Sequence, residues 1–309
     1  MSEPIIIGID HGYANMKTAH AVFPSGLVAY DHEPYSMERV LEYGGKYYVI
    51  GSGRQPLQKD KTGSENYYLL TLAAIAMELG HREAPPNSEI ILAVGLPLTS
   101  FGRDKRAFRE YLLRGGQPIS FRYEEKPYSI TITDVQLFPQ GYAAVLTQRE
   151  LLEEPSVIVA DIGGWTVDLM RIDNSIPNAT TCRSLELGMI RCLNEISEQI
   201  RRSLGLSMTN AQIEAAIRGD EAVLPAEVKG IIQNETEVYV SQLLSAIQES
   251  GMDYRAMPMV ALGGGANLLK RHVPPGAALC RLFLLDDVML NAKGFERLCG
   301  RMSGRGAGG

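Results

Sequence analysis

Two stretches of this chain set carboxylates and glycines at spacings suited to holding a polyphosphate. One is Asp161-Ile-Gly-Gly-Trp-Thr-Val-Asp168, entered through the apolar run Val157-Ile-Val-Ala160. That run reads as a buried strand ending on the carboxylate. Gly163 and Gly164 let backbone approach a phosphate closely and turn amides toward it. The other is Ile5-Ile-Ile-Gly-Ile-Asp-His-Gly-Tyr-Ala-Asn-Met-Lys17. It repeats the plan of apolar strand, Asp10, Gly12 and a return strand, whose alternation sends Asn15 and Lys17 to one side. One such stretch could be an ordinary hairpin turn. Two suggest half-sites that close on one polyphosphate. Asp10 and Asp161 suit Mg²⁺ held through its waters, and Lys17 suits a phosphate oxygen.

A third glycine corner follows at Val260-Ala-Leu-Gly-Gly-Gly-Ala-Asn-Leu-Leu269. Bare backbone at Gly263, Gly264 and Gly265 allows a flat ligand such as adenosine to lie against it. Strand-to-helix turns with glycine are common, so its weight comes from its place after the two hairpins.

With these corners in this order, the chain resembles the actin, sugar-kinase and heat-shock-chaperone ATPase superfamily. Within it, the sequence is most similar to the actin-like ATPases of the ParM/StbA type that segregate plasmids. Asp10-x-Gly12-x-x-Asn15-x-Lys17 resembles their first phosphate loop, and Asp161-Ile-Gly-Gly-x-Thr166-x-Asp168 the second. Gly263-Gly-Gly265 resembles the adenosine loop. Phe138-Pro-Gln-Gly-Tyr-Ala-Ala144 resembles the segment joining the two halves, and Asn291-Ala-Lys-Gly-Phe295 the closing helix. Glu186-Leu-Gly-Met189 falls at a second connecting loop, where Gly188 would approach the nucleotide.

The resemblance implies an α/β fold of duplicated actin-like (ribonuclease H-like) domains flanking a nucleotide cleft. It implies ATP and ADP as ligands, with GTP the alternative, and Mg²⁺. Gly12, Tyr13, Ala14, Asn15, Lys17, Gly163, Gly164, Trp165, Thr166, Gly188 and Gly263 to Gly265 would line the nucleotide. Asp10, Asp161 and Gln140 would carry the chemistry: water attacks the γ-phosphate, and Gln140 orients that water. Gln136 is the rival for this task. An amide is a weak base, so slow turnover is expected. Two departures stand out. Trp165 replaces a small residue or Thr, and Gln140 stands where ParM-type proteins generally carry Glu. His11 does not match the pattern and reads as an exposed turn residue, while Asp168 reads as fixing the hairpin or standing behind the metal rather than binding it directly. His20, His32, His81 and His272 read as scattered, without ligand spacing.

Polymerisation into cytomotive filaments follows from the resemblance alone, since filament contacts have no short motif. The competing class is a small-molecule (sugar or acyl) kinase of the same superfamily, which would need a substrate-side carboxylate base; none stands out. A chaperone would need a further peptide-binding region, and the sequence closes in a short Arg/Gly tail.

The 309 residues suffice for two cores, and 45% hydrophobic content is that of a globular protein. A net charge of −6 argues against a surface dedicated to nucleic acid. Any link to DNA is therefore expected through an adaptor protein, with no direct nucleic-acid contact, and the basic stretch Arg103 to Arg109 reads as a solvated helix face. Four cysteines lack metal spacing and read as reduced cytosolic thiols. No basic leader opens the sequence, and Tyr67 to Leu79 is too short to span a bilayer. The expected setting is cytoplasmic, without membrane association.

These residues need elements to position them. A meander with a hairpin turn at Gly44-Gly45 is expected over 5–50. Helices are expected near 64–80, 100–114, 140–152, 187–204 and 227–250, with a short one signalled by capping residues in Ser207 to Glu214. Strands are expected at 89–97 and 118–137. The domain reading is 1–153 for the first domain, to which a helix near 287–300 returns, 154–286 for the second, and a disordered tail at 301–309.

Overall fold

The computed structural model describes residues 3–53, 61–220 and 224–304. They divide into two units, Met1–Gln148 with Met289–Gly309, and Arg149–Val288. The first unit opens with β1 (Ile5–His11), β2 (Asn15–Lys17), β3 (Val22–Pro24), β4 (Leu27–Tyr30), β5 (Val40–Tyr43) and β6 (Lys46–Ile50). After them come α1 (Asn66–His81), β7 (Glu89–Leu96), α2 (Leu98–Leu113), β8 (Pro118–Tyr123), β9 (Lys126–Pro139) and α3 (Tyr142–Val145). The second unit runs β10 (Ser156–Ile162), β11 (Val167–Asp173), β12 (Ile176–Leu185), α4 (Met189–Leu204), α5 (Asn210–Arg218) and α6 (Ala226–Glu249). It ends with β13 (Met259–Leu262), α7 (Ala266–Arg271) and β14 (Leu282–Leu284), after which α8 (Leu290–Met302) rejoins the first unit.

Among the described residues the two sheets repeat one plan. In the first, β3-β2-β1-β7-β9 continues into β8-β5-β6-β4; in the second the order is β12-β11-β10-β13-β14. Each begins as an antiparallel meander (β1-β2-β3 and β10-β11-β12) and continues with two parallel strands (β7 and β9; β13 and β14). The fold is the duplicated α/β actin-like one expected from the sequence.

The central strands are apolar on both faces because both faces are covered. Ile7 and Ile9 on β1, and Ile158, Val159 and Ala160 on β10, are fully buried. Helix α1 is apolar nearly all round, and its residues Tyr67 to Ala76 are buried. That is the pattern of a helix enclosed in a core. On the opposite face of the first sheet, α3 and α8 pack through Ala143, Phe295 and Cys299 against Ala93 and Phe138.

Several expected elements are recovered with shifted ends. Thr209 caps α5 with a capping box to Gln212, as the signal in that segment predicts. The helix expected over 140–152 is instead broken. Strand β9 runs through Pro139, Gly141 turns at positive φ, α3 is a single turn, and a 3₁₀ segment covers Arg149–Leu152. Thr147 explains the break, since its hydroxyl and amide both bond the Ala144 carbonyl and tighten the chain. The 118–137 stretch is a hairpin turning at Glu124 and Glu125, both at positive φ. Helix α8 runs through Met302, two residues into the stretch read as tail, and Ser303 Oγ donates to the Cys299 carbonyl at 2.9 Å. The rest of that tail, 305–309, lies outside the described residues. No described helix is long and apolar enough to cross a membrane.

Candidate functional site

In the first unit, β1 delivers Asp10 and β2 returns Lys17 directly opposite it in the antiparallel register. Lys17 Nζ lies 3.3 Å from Asp10 Oδ2. From the end of β9, Gln140 Nε2 donates to Asp10 Oδ1 at 2.7 Å. An ionised carboxylate only accepts, so the NH₂ end of Gln140 must face Asp10 and Oε1 is left as the acceptor end. Burial pushes the Asp10 carboxyl up, but the charges of Lys17 and Lys61 and the two side-chain hydrogen bonds outweigh it and hold Asp10 below the ordinary carboxylate range. Asp10 therefore stays ionised at neutral pH although only 3% exposed.

The loop between β1 and β2 is held tightly. A Cβ on Gly12 would overlap the Asn15 carbonyl, so only glycine fits. Ser25, in the turn after β3, donates Oγ to the Gly12 carbonyl at 2.7 Å and its amide to the Ala14 carbonyl at 2.9 Å. Sequence reasoning missed Ser25. The Pro24-Ser-Gly26 turn marks a chain reversal but gives no hint that it reaches back to the loop. Tyr13, Ala14 and Asn15 lie on this loop and at the start of β2, at least partly exposed.

His11 is a correction. It is fully buried rather than an exposed turn residue, because it is the last residue of β1 and alternation sends it away from Asp10 into the core. Thr71 Oγ1 donates to the Tyr67 carbonyl, so the His11 Nε2–H donates to Thr71 Oγ1 at 2.8 Å. The rings of Tyr67 and Phe108 pack edge-on against it. Burial, with the nearby Lys61 charge, drives its pKa down to about 3, so the ring is neutral. His20 and His81, read as scattered, stack at 4.2 Å, and His20 Nδ1 lies 3.0 Å from the buried Glu78 carboxylate. The α1 helix returns His81 beside the loop after β2, a proximity that sequence spacing cannot reveal. Gln136 is held by its neighbour Asp134, whereas Gln140 is the glutamine that reaches Asp10.

In the second unit, Asp161 and Asp168 face each other across the β10–β11 register. The turn between them closes with Gly163 N–H donating to the Thr166 carbonyl at 2.9 Å. Asp168 braces the hairpin, accepting from Ser184 Oγ on β12 and from Thr166 Oγ1. Beneath the turn, the start of α4 is laced to it. Gly188, Met189 and Ile190 donate amides to the carbonyls of Trp165, Gly163 and Gly164. Gly188 must be glycine here, since a Cβ would overlap Trp165 and Gly164 backbone. Tyr239, fully buried on α6, donates its hydroxyl to the Leu187 carbonyl and anchors that approach. This support also escaped sequence reading, because an apolar helix face does not announce a polar tip. Trp165 and Thr166 are half-buried.

The Gly263-Gly-Gly265 corner meets Asp161. Gly263 stands at φ +86°, where a Cβ would fall 2.6 Å from both Asp161 Oδ1 and the Ile162 carbonyl. Gly265 donates its amide to the Ile162 carbonyl and opens α7. Gly264 between them is exposed, with open space over its Cα. The structure thus gathers Asp10, Gly12, Lys17 and Gln140 within the first unit, and Asp161, Gly163, Gly164, Trp165, Thr166, Gly188 and the triple glycine within the second. Among the described residues no three His, Cys, Asp or Glu side chains form a cage for a metal ion. A single ionised carboxylate such as Asp10 fits a Mg²⁺ that keeps its waters and takes its remaining ligands from a phosphate.

A strand, a glycine turn with a carboxylate at its first corner, and a return strand, repeated in two units of the same topology, define the actin-like class of nucleotide-binding folds. Residues 8–142 match the family model for the N-terminal domain of actin-like proteins. Residues 159–274 match that for the C-terminal domain of archaeal MreB-like actin homologues. The chain belongs to the actin-like proteins. Solved structures agree on the fold. The archaeal actin homologue Ta0583 in complex with ADP superposes with a TM-score of 0.77 at 21% identity, covering 96% of this chain and 99% of that one. A 15-stranded ParM filament from Clostridium botulinum gives 0.76 at 19% identity over 97% and 100% of the chains. Bacillus thuringiensis ParM with ATP gives 0.69 at 14% over 98% and 100%. No significant match is found among curated proteins.

Proposed function

We propose that this chain is a nucleotide-dependent polymerising ATPase that forms cytomotive filaments in the cytoplasm and moves plasmid or other DNA through an adaptor protein. The observation that carries the proposal is the Lys17–Asp10–Gln140 constellation on a glycine loop, with a corner of like design in the second unit. Lys17 and the loop amides would neutralise phosphate oxygens, and the Asp161 and Gly188 loops would serve the same nucleotide. Gly263 to Gly265 would take the adenosine. Mg²⁺, held through water near Asp10 and Asp161, would offset charge on the phosphates. Gln140, fixed through its NH₂ end, would present Oε1 to accept a hydrogen bond from the attacking water and so orient it. Since an amide cannot remove a proton from that water as a strong base would, turnover is slow. Filament formation is supported by likeness to a ParM filament and to the Alp12 filament. Head-to-tail contacts that do not close into a ring give such filaments.

Sedimentation with Mg-ATP, with Mg-ADP and without nucleotide tests the assembly. Nucleotide-dependent pelleting is expected, and a monomer in all three conditions would shift the reading to a small-molecule kinase. Gln140→Ala tests the chemistry: hydrolysis should fall while ATP binding persists, and equal loss of both rejects the water-positioning role.

A further inference from the structure

We infer that Asn291, on the C-terminal helix, is a positioning residue that sets the geometry of Gln140. The inference deepens the proposed ATPase reading and rests on it. Gln140 follows β9 directly, at an unusual turn. Its carbonyl accepts the Tyr142 amide at 2.8 Å across Gly141, which stands at φ +73° and ψ −52°. This is the γ-turn that is rare because it is strained, and the surrounding structure must hold it. It also leaves the Gly141 amide outside the turn's own hydrogen bond, in a buried place where an unpaired N–H is costly.

Asn291 Oδ1 accepts that amide at 2.9 Å, from 150 positions away in sequence. The side chain is buried, with Asn291 5% exposed. Its helix is locked in place by residues on the same face. A Cβ on Gly294 would overlap the Ala143 carbonyl, and Phe295 fills the space over Gly95. Positions three and four apart lie on one side of a helix, so Asn291, Gly294 and Phe295 act as one docking face. A continuous chain of contacts results: Asn291 holds Gly141, the γ-turn fixes Gln140, and Gln140 Nε2 reaches Asp10 Oδ1. Without the clamp the turn can relax to an unstrained form, and Gln140 Oε1 loses its aim.

The test is steady-state ATP hydrolysis and nucleotide affinity of the full chain for Asn291→Ala and Asn291→Asp, alone and with Gln140→Ala. Asn291→Ala is expected to lower kcat about tenfold with nucleotide affinity within about threefold of the parent, as befits loss of aim rather than of binding. Asn291→Asp keeps an acceptor oxygen and should restore most of kcat. Asn291→Ala added to Gln140→Ala should cost nothing more, because both act through one group. Should Asn291→Ala fail to fold, Asn291→Ser, too short to reach the Gly141 amide, takes its place with the same expectations. An undiminished kcat, parallel loss of kcat and affinity, or losses that multiply with Gln140→Ala would overturn the inference. If Gln140→Ala itself hydrolyses ATP normally, the water-positioning reading fails first, whatever Asn291 does.

Discussion

Gly95 and Phe295 occupy each other's space: the Phe295 ring lies where a side chain at position 95 would begin. Gly95 is on β7 and Phe295 on α8, so this meeting seats the C-terminal helix on the sheet of the first unit. Phe295 is fully buried and stacks on Phe138 at 6.2 Å between ring centroids. Gly95→Ala should therefore overpack the face and cost about 1–3 kcal/mol. Phe295→Ala alone should cost about 3–5 kcal/mol through the cavity it leaves. The double variant should lose clearly less than the sum, because each change makes room for the other. Denaturant unfolding of the four proteins measures the cycle. Strict additivity would mean that the helix is not seated by this pair.

Much of the fold was legible in the sequence, and the exceptions share a cause. Ile5 to Asp10 and Val157 to Asp161 announce themselves as strands because they are apolar runs ending on an acid, and Thr209 with Gln212 is a local capping pattern. Local signals survive translation into structure. What stayed hidden is contact made across long separations: Ser25 on Gly12, Tyr239 on Leu187, Asn291 on Gly141. His11 was misplaced for a related reason. A histidine beside a glycine looks like a turn residue until the strand is seen to continue through it and rotate the ring inward. The 140–152 helix failed because helical composition is overridden by the Gly141 turn and the Thr147 back-bonds.

The buried state of His11 makes a pH prediction. Its pKa is about 3 in the folded chain against 6.5 when unfolded, with burial the main cause. The unfolded chain thus binds a proton that the folded chain does not. The associated stability is fully present above pH 6.5 and is lost as pH falls from there toward 3. From pH 7.5 to 4.5, this one group should cost about 2–3 kcal/mol. His11→Gln keeps a donor for Thr71 without titrating, so its unfolding free energy should fall less over that range. Parallel pH curves for the two proteins would show that the ring is charged or solvated in the folded state. Asp10, held low, contributes stability that is present above its ordinary value of 3.8 and is lost only as pH falls below that, so it does not confuse this window.

Ser25 offers a test of how far the first loop depends on its buckle. Ser25→Ala removes the hydroxyl that donates to the Gly12 carbonyl but keeps the backbone bond to Ala14. A partly buried carbonyl loses its side-chain partner, at a cost of about 1 kcal/mol in stability. On the proposal that amides of this loop meet the phosphates, nucleotide affinity should weaken several-fold as the loop loosens. Calorimetric titration of ADP onto both proteins reads this directly. Unchanged affinity with lowered stability would confine Ser25 to folding.

The triple glycine separates a steric requirement from mere composition. Gly263 is at positive φ, and a Cβ there would press on Asp161 Oδ1 and the Ile162 carbonyl at 2.6 Å each. Alanine at 263 must therefore strain the backbone and push the Asp161 carboxylate aside. Gly264 has no atom within 4 Å of its would-be Cβ and stands at an ordinary φ, so alanine there meets neither obstacle within the protein. Gly263→Ala should weaken binding of ADP and of adenosine alike by about tenfold or more, a loss of at least about 1.4 kcal/mol. Gly264→Ala should leave stability unchanged, and any loss of affinity in it must come from the ligand's own approach to the bare Cα. A loss at 264 that grows with a substituent on the adenine would place the base over that residue. If neither variant alters nucleotide binding, the adenosine does not lie on this corner.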